Sequence, residues 1–487
     1  MTADLEVELK LEADPADLDR LADAAVLRDA ALVAKSQVAT YFDTPAQALR
    51  TAGLSLRIRR TGERRVQTVK AGGSAAAGLF ARPEWEREVA GDTPELDAAG
   101  GPIASLIPPA ALSAIAPAFT MAVTRRTGLV RHAGALIEVV LDAGTITAAN
   151  REAPIGEAEL ELKEGEPAAL FALARALAAV APLRLGVRAK SERGYALMDE
   201  RAPRAIKAGA LELAADATAA EAFAAIAGAC IRQFRLNEAI LLTRREPDAL
   251  HQARVALRRL RSALSIFKPM LADERLEVMR GELRWLAATL GDARDLDVLA
   301  PRVEAALRPA LEAARAGAYE AVEAALHSAR ARGLMLDLSE WIAIGRWRVA
   351  PCEPELCDQP ASRFAAETLD RLRRRMRKRG RDLEKLSDEA RHEVRILAKK
   401  LRYASEFFAG LFTGKAQVRR ARRFLAALED LQKHLGELND IAHGPTVLAR
   451  LGIDAGAAAP SIDRRTLLIQ RAADAQDALI DSKRFWR

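Results

Sequence analysis

Over residues 1–200 apolar and polar positions alternate in short runs, and beyond about residue 213 they recur with the period of a helix. The runs Leu5–Leu11, Leu54–Arg60, Arg65–Lys70, Arg82–Val89, Leu129–Arg131, Ala135–Leu141 and Gly156–Lys163 repeat with period two. That is the pattern of a strand with one face toward a core. Turns rich in Gly, Pro and Asp separate the runs, and residues 15–27 and 166–180 have helical spacing. Several short strands with few long crossovers predict an antiparallel meander that can close into a barrel. Residues 71–78, AGGSAAAG, read as a flexible loop without the Gly-Lys-Ser/Thr ending of a phosphate cradle. From about 213 to 345, and from about 361 to 487, every segment reads as amphipathic helix.

The helical part writes one phrase twice. Residues 251–267 read HQARVALRRLRSALSIF and residues 392–408 read HEVRILAKKLRYASEFF. About 40 residues further on, LGDARDLDVL begins at Leu290 and LGELNDIAHG at Leu435. A duplication of this kind predicts two copies of one structural unit. Two four-helix bundles, in repeat halves 213–345 and 361–487 with a Pro-rich acidic linker at 346–360, are the economical architecture. In each copy a His is followed by cations at +3, +7 and +10: His251, Arg254, Arg258 and Arg261, then His392, Arg395, Lys399 and Arg402. At 100° per residue each set spans roughly 80° of arc and about 15 Å of helix. The apolar Leu257, Leu260, Leu264 and Phe267 take another side. A cationic stripe built twice predicts a polyanionic partner. The whole reads as an α+β multidomain chain: a strand domain over 1–202, a linker at 203–212 and an all-α domain over 213–487.

Composition sharpens this division. Half of the residues are apolar and only 5% are aromatic, which suits helices better than a large all-β protein. No run of 18 apolar residues predicts a membrane span. The start, MTADLEVELK, has neither the basic opening nor the apolar core of a secretory leader. Cys230, Cys352 and Cys357 make no CxxC pair and no disulfide framework, which fits a reducing cytoplasm. The formal net charge of +7 is uneven: residues 1–200 hold 23 Lys and Arg against 28 Asp and Glu, and the remainder 51 against 39. The helical part is therefore the expected anion binder. Its densest basic block, RLRRRMRKRG at 371–380, reads as a solvated face or a phosphate contact. Helices without interleaved aromatics to stack on bases, and without a DNA-reading motif, argue against nucleic acid.

In the strand-like part the polar positions are nearly pure charge. Glu6, Glu8 and Lys10 share one face, as do Arg57 and Arg59; Lys70 ends the next run. Glu84, Glu86 and Glu88 alternate, Glu138 and Asp142 share a face, Glu157, Glu159 and Glu161 alternate, and Lys190 and Arg193 stand in AKSERGY. Any one such face alone reads as the solvated side of a sheet. Together they sort by sign, and they lack the Ser, Thr and Gln that ordinary solvent faces mix in. Turned inward in a barrel they would make a tunnel with a carboxylate patch and a cation patch. Carboxylates suit Mg²⁺ or Mn²⁺, and Arg and Lys suit phosphate oxygens. Metal, phosphate and cations together are the equipment of phosphoryl transfer.

The ordered set EVELK, SLRIRR, TVK, RPEWE, EAELELK and AKSERGY resembles the CYTH family, the triphosphate tunnel metalloenzymes, over roughly residues 1–200. HxxRVxxRRLR and LGxxRDLDV resemble the CHAD domain over about 213–487. The first resemblance implies an eight-stranded antiparallel barrel that hydrolyses a triphosphate with a divalent metal. The second implies polyphosphate binding, and the order of the two resembles that of bacterial inorganic triphosphatases. By the same resemblance Glu6, Glu8, Glu157 and Glu159 are the expected metal ligands, with Glu161 a helper. Glu6 or Glu8 would also act on the attacking water. Arg57, Arg59, Lys70, Lys190 and Arg193 are the expected phosphate clamp, joined by Arg125 or Arg126, and Lys10 neutralises the terminal phosphate. Glu84 and Glu86 match acidic positions of the family. The segment after Arg126, TGLVRH, lacks a Trp expected of the nearest subfamily.

Three functions compete on this reading. The first is a Mg²⁺- or Mn²⁺-dependent inorganic triphosphatase in the cytoplasm, its helical half holding polyphosphate and associating with polyphosphate granules. The second is a polyphosphate-binding protein with a weak hydrolase attached. The third is adenylate cyclase or organic triphosphatase chemistry, for which Trp85 is the one aromatic shelf the strands offer.

Overall fold

The computed structural model describes residues 4–71, 74–76, 78–96, 102–199, 204–302, 305–450 and 462–487. They divide into two compact units: Met1–Arg204 with Ala329–Ile344, and Ala205–Ser328 with Gly345–Arg487. The first unit is built on ten strands: β1 (Asp4–Glu12), β2 (Val33–Asp43), β3 (Leu54–Thr61), β4 (Arg64–Ala71), β5 (Ser74–Ala76), β6 (Leu79–Glu88), β7 (Ala116–His132), β8 (Ala135–Ala148), β9 (Arg151–Glu164) and β10 (Arg184–Leu185). Their order is β10-β1-β9-β8-β7-β2-β3-β4-β6-β5, in one antiparallel sheet. β1 pairs β9 along one edge and β6 along the other. Eight strands thus follow one another in a cycle: β1, β9, β8, β7, β2, β3, β4 and β6.

The apolar positions of these strands go outward, under helices. On β3, Leu54, Leu56 and Ile58 are buried with Leu49, Ile103 and Ile107 in one cluster. The helix Ala168–Ala178 lays Leu170, Leu173 and Leu177 against β1 and β9, where Leu9, Leu11 and Leu160 are buried. The helix Ala329–Ile344 in turn packs on Ala168–Ala178 and on β10. Each large aliphatic side chain so buried is worth about 1.5–3 kcal/mol. The alternate, charged positions of the same strands are thereby left to the inside.

Three local expectations are corrected. Residues 15–27 form short turns rather than one helix, Pro15–Asp17, Leu18–Ala22 and Ala25–Ala30, because Ala24 is extended. The 71–78 segment is not only loop: Ser74–Ala76 is strand and pairs β6. β2 is an added strand, and β7 runs far beyond Leu129–Arg131.

The second unit is mostly helical. Ala219–Leu241, Pro247–Ile266, Arg275–Leu299 and Arg308–His327 pack each on the next, and so do Ala361–Arg379, Asp388–Phe408, Lys415–Arg450 and Ile462–Asp481. The two sets meet through an aromatic core in which Phe267 stacks on Phe364 at 4.6 Å and touches Phe408 edge-on at 5.8 Å. Among the described residues no helix is long and apolar enough to cross a membrane. The three cysteines are free thiols.

Candidate active site and anion-binding surface

The inward positions of the cyclic strands converge on one cavity of about 650 Å³. Glu8 and Lys10 come from β1, Arg57 and Arg59 from β3, Lys70 from β4, Glu84 and Glu86 from β6. Arg125 comes from β7, Glu138 from β8, Glu159 and Glu161 from β9, and Lys190 from the first turn of the helix Lys190–Met198. A bare charge moved from water into such a place would cost several kcal/mol, so each finds an opposite. Lys190 Nζ lies 2.7 Å from Asp142 Oδ2, 2.9 Å from Glu159 Oε1 and 3.1 Å from Glu157 Oε2. Lys10 Nζ donates to Glu8 Oε2 at 3.0 Å and also to Glu159. Arg125 grips Asp142 with both arms, at 2.8 and 2.6 Å. Elsewhere in the lining Lys70 Nζ is 2.7 Å from Glu84, and Arg59 is 3.4 Å from Glu86, which also accepts from Thr68 Oγ1 at 2.8 Å.

The pairing sets the protonation states. Burial opposes charge on Lys10, but Glu159 and Glu8 outweigh it and the ammonium is held above its ordinary value. Lys190 is raised in the same way, burial being overcome by Asp142, Glu159 and Glu157. Burial pushes Glu159 up, yet Lys10, Lys190 and Arg125 pull it well below the usual carboxylate range. Near pH 7 Lys10 and Lys190 are therefore cationic and Glu159 is anionic.

Three sequence-derived positions lie elsewhere. Arg126, next to Arg125 on a strand, must point to the opposite face; it binds Asp19 at 2.6 Å, so of this pair Arg125 enters the cavity and Arg126 does not. Arg193 lies outside the cavity lining and holds Glu157 at 2.6 Å and the carbonyl of Pro154 at 2.8 Å. Glu157 is buried between Arg193 and Lys190, with its charge answered from within. Glu6 stands on β1 opposite Arg82 in the ladder, and its side chain lies outside the described residues. Tyr41, Thr68 and Lys163 also line the cavity and are additions. Lys163 continues the alternation of Glu157, Glu159 and Glu161, so its inward face was readable; Tyr41 and Thr68 carry no charge to mark theirs.

Glu8, Glu161 and Glu138 face one another across β1, β9 and β8, each directly opposite the next in the ladder. Like charges so opposed are destabilising unless a cation joins them. Lys163 does so for Glu138 at 3.1 Å and Glu161 at 2.5 Å. These all-oxygen donors suit a hard divalent cation in chemistry. As they stand, turned to ammonium groups, no three acidic, His or Cys side chains among the described residues form a ligand group.

In the second unit the two repeated phrases meet. The Pro247–Ile266 and Asp388–Phe408 helices pack on each other, and Arg258, Arg261, Arg280, Arg284, Lys399 and Lys400 line a cavity of about 380 Å³ with no acidic residue in its lining. Burial, then Arg258, Arg395, Arg254 and Arg402, push Lys399 down to about 7. Burial and Arg294, Arg258 and Arg254 push His251 down to about 4, so it is neutral near pH 7. His392 Nδ1 is 2.7 Å from Asn439 Oδ1. Arg254 reaches Asp295 at 3.8 Å and Arg402 reaches Glu406 at 3.2 Å. Arg254 Nη1 and Arg395 Nε are buried donors without a hydrogen-bond partner among the described residues. Asp297 is held by Arg315 at 2.7 Å and Tyr319 at 2.9 Å. His434 is buried against Asp430 at 3.3 Å, and the side chain of His443 lies outside the described residues.

The CYTH domain model matches residues 4–195 and the CHAD domain model residues 225–449. Over 161 residues the chain is 32% identical to an inorganic triphosphatase of Haemophilus influenzae; the match takes in 32% of this chain and 45% of that relative, less than half its length. A CHAD domain structure from Ricinus communis is 31% identical, covering 57% of this chain and 93% of that one, with a TM-score of 0.46. A structure from Hippeastrum, described as a candidate adenylyl cyclase with a dominant triphosphatase activity, is 18% identical over 39% of this chain and 95% of that one, with a TM-score of 0.31. With both family models matched in order along it, the chain is a CYTH–CHAD two-domain protein.

Proposed function

We propose that the strand unit hydrolyses inorganic triphosphate to pyrophosphate and phosphate, and that the helical unit binds polyphosphate. The observation that carries the first half is the convergence of Arg57, Arg59, Lys70, Arg125, Lys10 and Lys190 on a single cavity that also holds carboxylates. A linear triphosphate needs several cations along its length. The partial relative named an inorganic triphosphatase is consistent with this substrate.

In this reading Arg57, Arg59, Lys70 and Arg125 bind and orient the phosphate oxygens, and Lys10 and Lys190 neutralise charge at the carboxylate end. Water adds to the terminal phosphorus as its bond to the bridging oxygen breaks. Pyrophosphate leaves with the bonding pair, and Glu8 accepts the proton of the water. Glu8, Glu159 and Glu161, with Glu6 by its place on β1, would hold Mg²⁺ or Mn²⁺. When bound, such an ion supplies charge neutralisation and a more acidic water.

The test measures phosphate release from tripolyphosphate, ATP and thiamine triphosphate with Mg²⁺, for the wild type and Glu8→Gln. The expected result is a strong preference for tripolyphosphate that the substitution abolishes. Cyclic AMP from ATP, or no release from any of the three, would overturn it. For the helical half, the support is the acid-free cationic cavity together with the unpartnered Arg254 and Arg395 donors.

A further inference from the structure

The repeat contains its own control. In the first two helices of each set, equivalent positions lie 141 residues apart: His251 and His392, Phe267 and Phe408, Phe223 and Phe364. The contacts across the junction are reciprocal. Arg259 bonds Glu406, while its equivalent Lys400 bonds Ser265, the equivalent of Glu406, with Nζ 2.6 Å from Oγ. Beyond that the two sides diverge. On one, Arg259 is buried against Glu406 and lies over the ring of Phe407 at 4.9 Å, with Cys230 and Phe234 buried on the facing helix. On the other, the equivalents of Cys230 and Phe234 are Arg371 and Arg375. There a cavity of about 500 Å³ opens, lined by Lys268, Thr368, Arg371, Arg375 and Lys400, with no acidic residue in its lining.

The same helical framework thus closes around an ion pair and apolar side chains at one position and opens as an all-cation pocket at the other. Folding does not demand the open form. Glu367 acts on Arg371 from outside the lining, but the four cations within it repel one another, and a bound anion would relieve them. Burial, with Arg375, Arg371 and Arg280 adding to it, pushes Lys400 down to about 8. The pocket shares Ser265 and Lys400 with the Arg258–Lys399 cavity, so the two are contiguous. No aromatic side chain lines it, which leaves phosphate and not a base as the group it can hold.

We propose that Lys268, Arg371, Arg375 and Lys400 form a second phosphate subsite, so that one polyphosphate chain runs from Arg258 and Lys399 past Lys400 to Arg375. This rests on the reading of the helical unit as a polyphosphate binder. It also gives the basic block at 371–380 a specific task.

The experiment measures affinity of the full-length protein for long-chain polyphosphate over a series of salt concentrations. It compares the wild type, Arg371→Gln/Arg375→Gln and Arg254→Gln/Arg258→Gln. Each pair is expected to weaken binding and to lower the salt slope by about 1.4, two cations at about 0.7 each for a single-stranded polyanion. Arg371 and Arg375 are exposed on their helix, and hydrolysis of tripolyphosphate by that variant is expected to equal wild type. If the 371/375 pair behaves as wild type while the 254/258 pair weakens binding, the second subsite is overturned and the binding reading stands. If the wild type holds no polyphosphate, both fall. If a single-stranded oligonucleotide binds as tightly as polyphosphate and loses affinity equally in the 371/375 variant, the subsite is a nucleic-acid contact and the proposal fails.

Discussion

Arg125 and Arg126 are chain neighbours with opposite destinations, one gripping Asp142 in the cavity and the other meeting Asp19 on the far face. Replacing Arg125 by Gln removes a preorganised donor and leaves Asp142 short of a partner; kcat on tripolyphosphate is expected to fall about 10²–10³-fold. Arg126→Gln is expected to stay within about twofold of wild type, because an exposed ion pair is worth at most about 1 kcal/mol. Equal losses in both would mean that the strand is not in this register. Lys399 shows how a single residue can couple binding to pH. Its free ammonium loses the proton near 7, and a bound polyanion would restore it. Below that pH the group is already charged, so affinity for polyphosphate is expected to be flat. Above it each bound chain must bring a proton, and affinity is expected to fall by up to about tenfold per pH unit, since one pKa unit is about 1.36 kcal/mol. Lys400 adds a second such loss above about 8. Polyphosphate titrations from about pH 6 to about pH 9 at fixed ionic strength, on wild type and Lys399→Arg/Lys400→Arg, check this. A wild-type profile as flat as that of the variant would exclude the coupling.

At the scale of elements, the inside-out strands follow from which face the helices can bury. Period two on β1, β3, β6 and β9 made those faces legible in the sequence, and the purity of their charge marked the inward side. β2 was not legible because its inward Gln37 and Tyr41 are neutral, so nothing but pairing with β3 and β7 identifies it. The strand Ser74–Ala76 escaped for a related reason: a short Ala-rich segment has no period of its own and takes its form from its neighbour β6; the helical spacing of 15–27 was legible, but the chain breaks it into short pieces at Ala24. In AKSERGY, by contrast, every marked residue has a physical task. Lys190 enters the cavity, Arg193 holds Glu157, and Tyr195 donates to Asp43 Oδ2 at 2.7 Å. Gly194 lies so close to the ring of Phe119 that a Cβ there would collide with it, and Phe119 is wedged between Tyr41 and Tyr195. Gly194→Ala is expected to cost about 1–3 kcal/mol by overpacking. It should lower the melting temperature by about 2–4 °C for each kcal/mol in a unit of this size. Calorimetry decides it, and an unchanged transition would show that Phe119 can move aside.

For the molecule as a whole, charge is divided by task. The strand unit answers its inner charges pairwise, Lys190 with three carboxylates and Arg125 with Asp142, so its field is short-ranged until a substrate displaces a partner. The helical unit leaves its cations gathered and largely unanswered around Arg258 and Lys399, so its attraction for a polyanion is strong and dependent on salt. The two activities should therefore separate under mutation. Replacing Arg254, Arg258, Arg395 and Lys399 by Ala is expected to lower affinity for long-chain polyphosphate and to reduce its salt slope by about 3, four cations at about 0.7 each. The same protein should release phosphate from tripolyphosphate at the wild-type rate at low and high salt alike. Arg57→Ala should do the reverse, abolishing turnover while leaving long-chain binding and its salt slope intact. Parallel measurement of both quantities on both variants is the check. If the quadruple variant retains wild-type affinity, the duplicated cationic stripe is a solvated face and some other surface carries the chain. If it loses turnover as well, the strand-unit cavity depends on the helical cations, and the pairwise balance seen within it is not sufficient for catalysis.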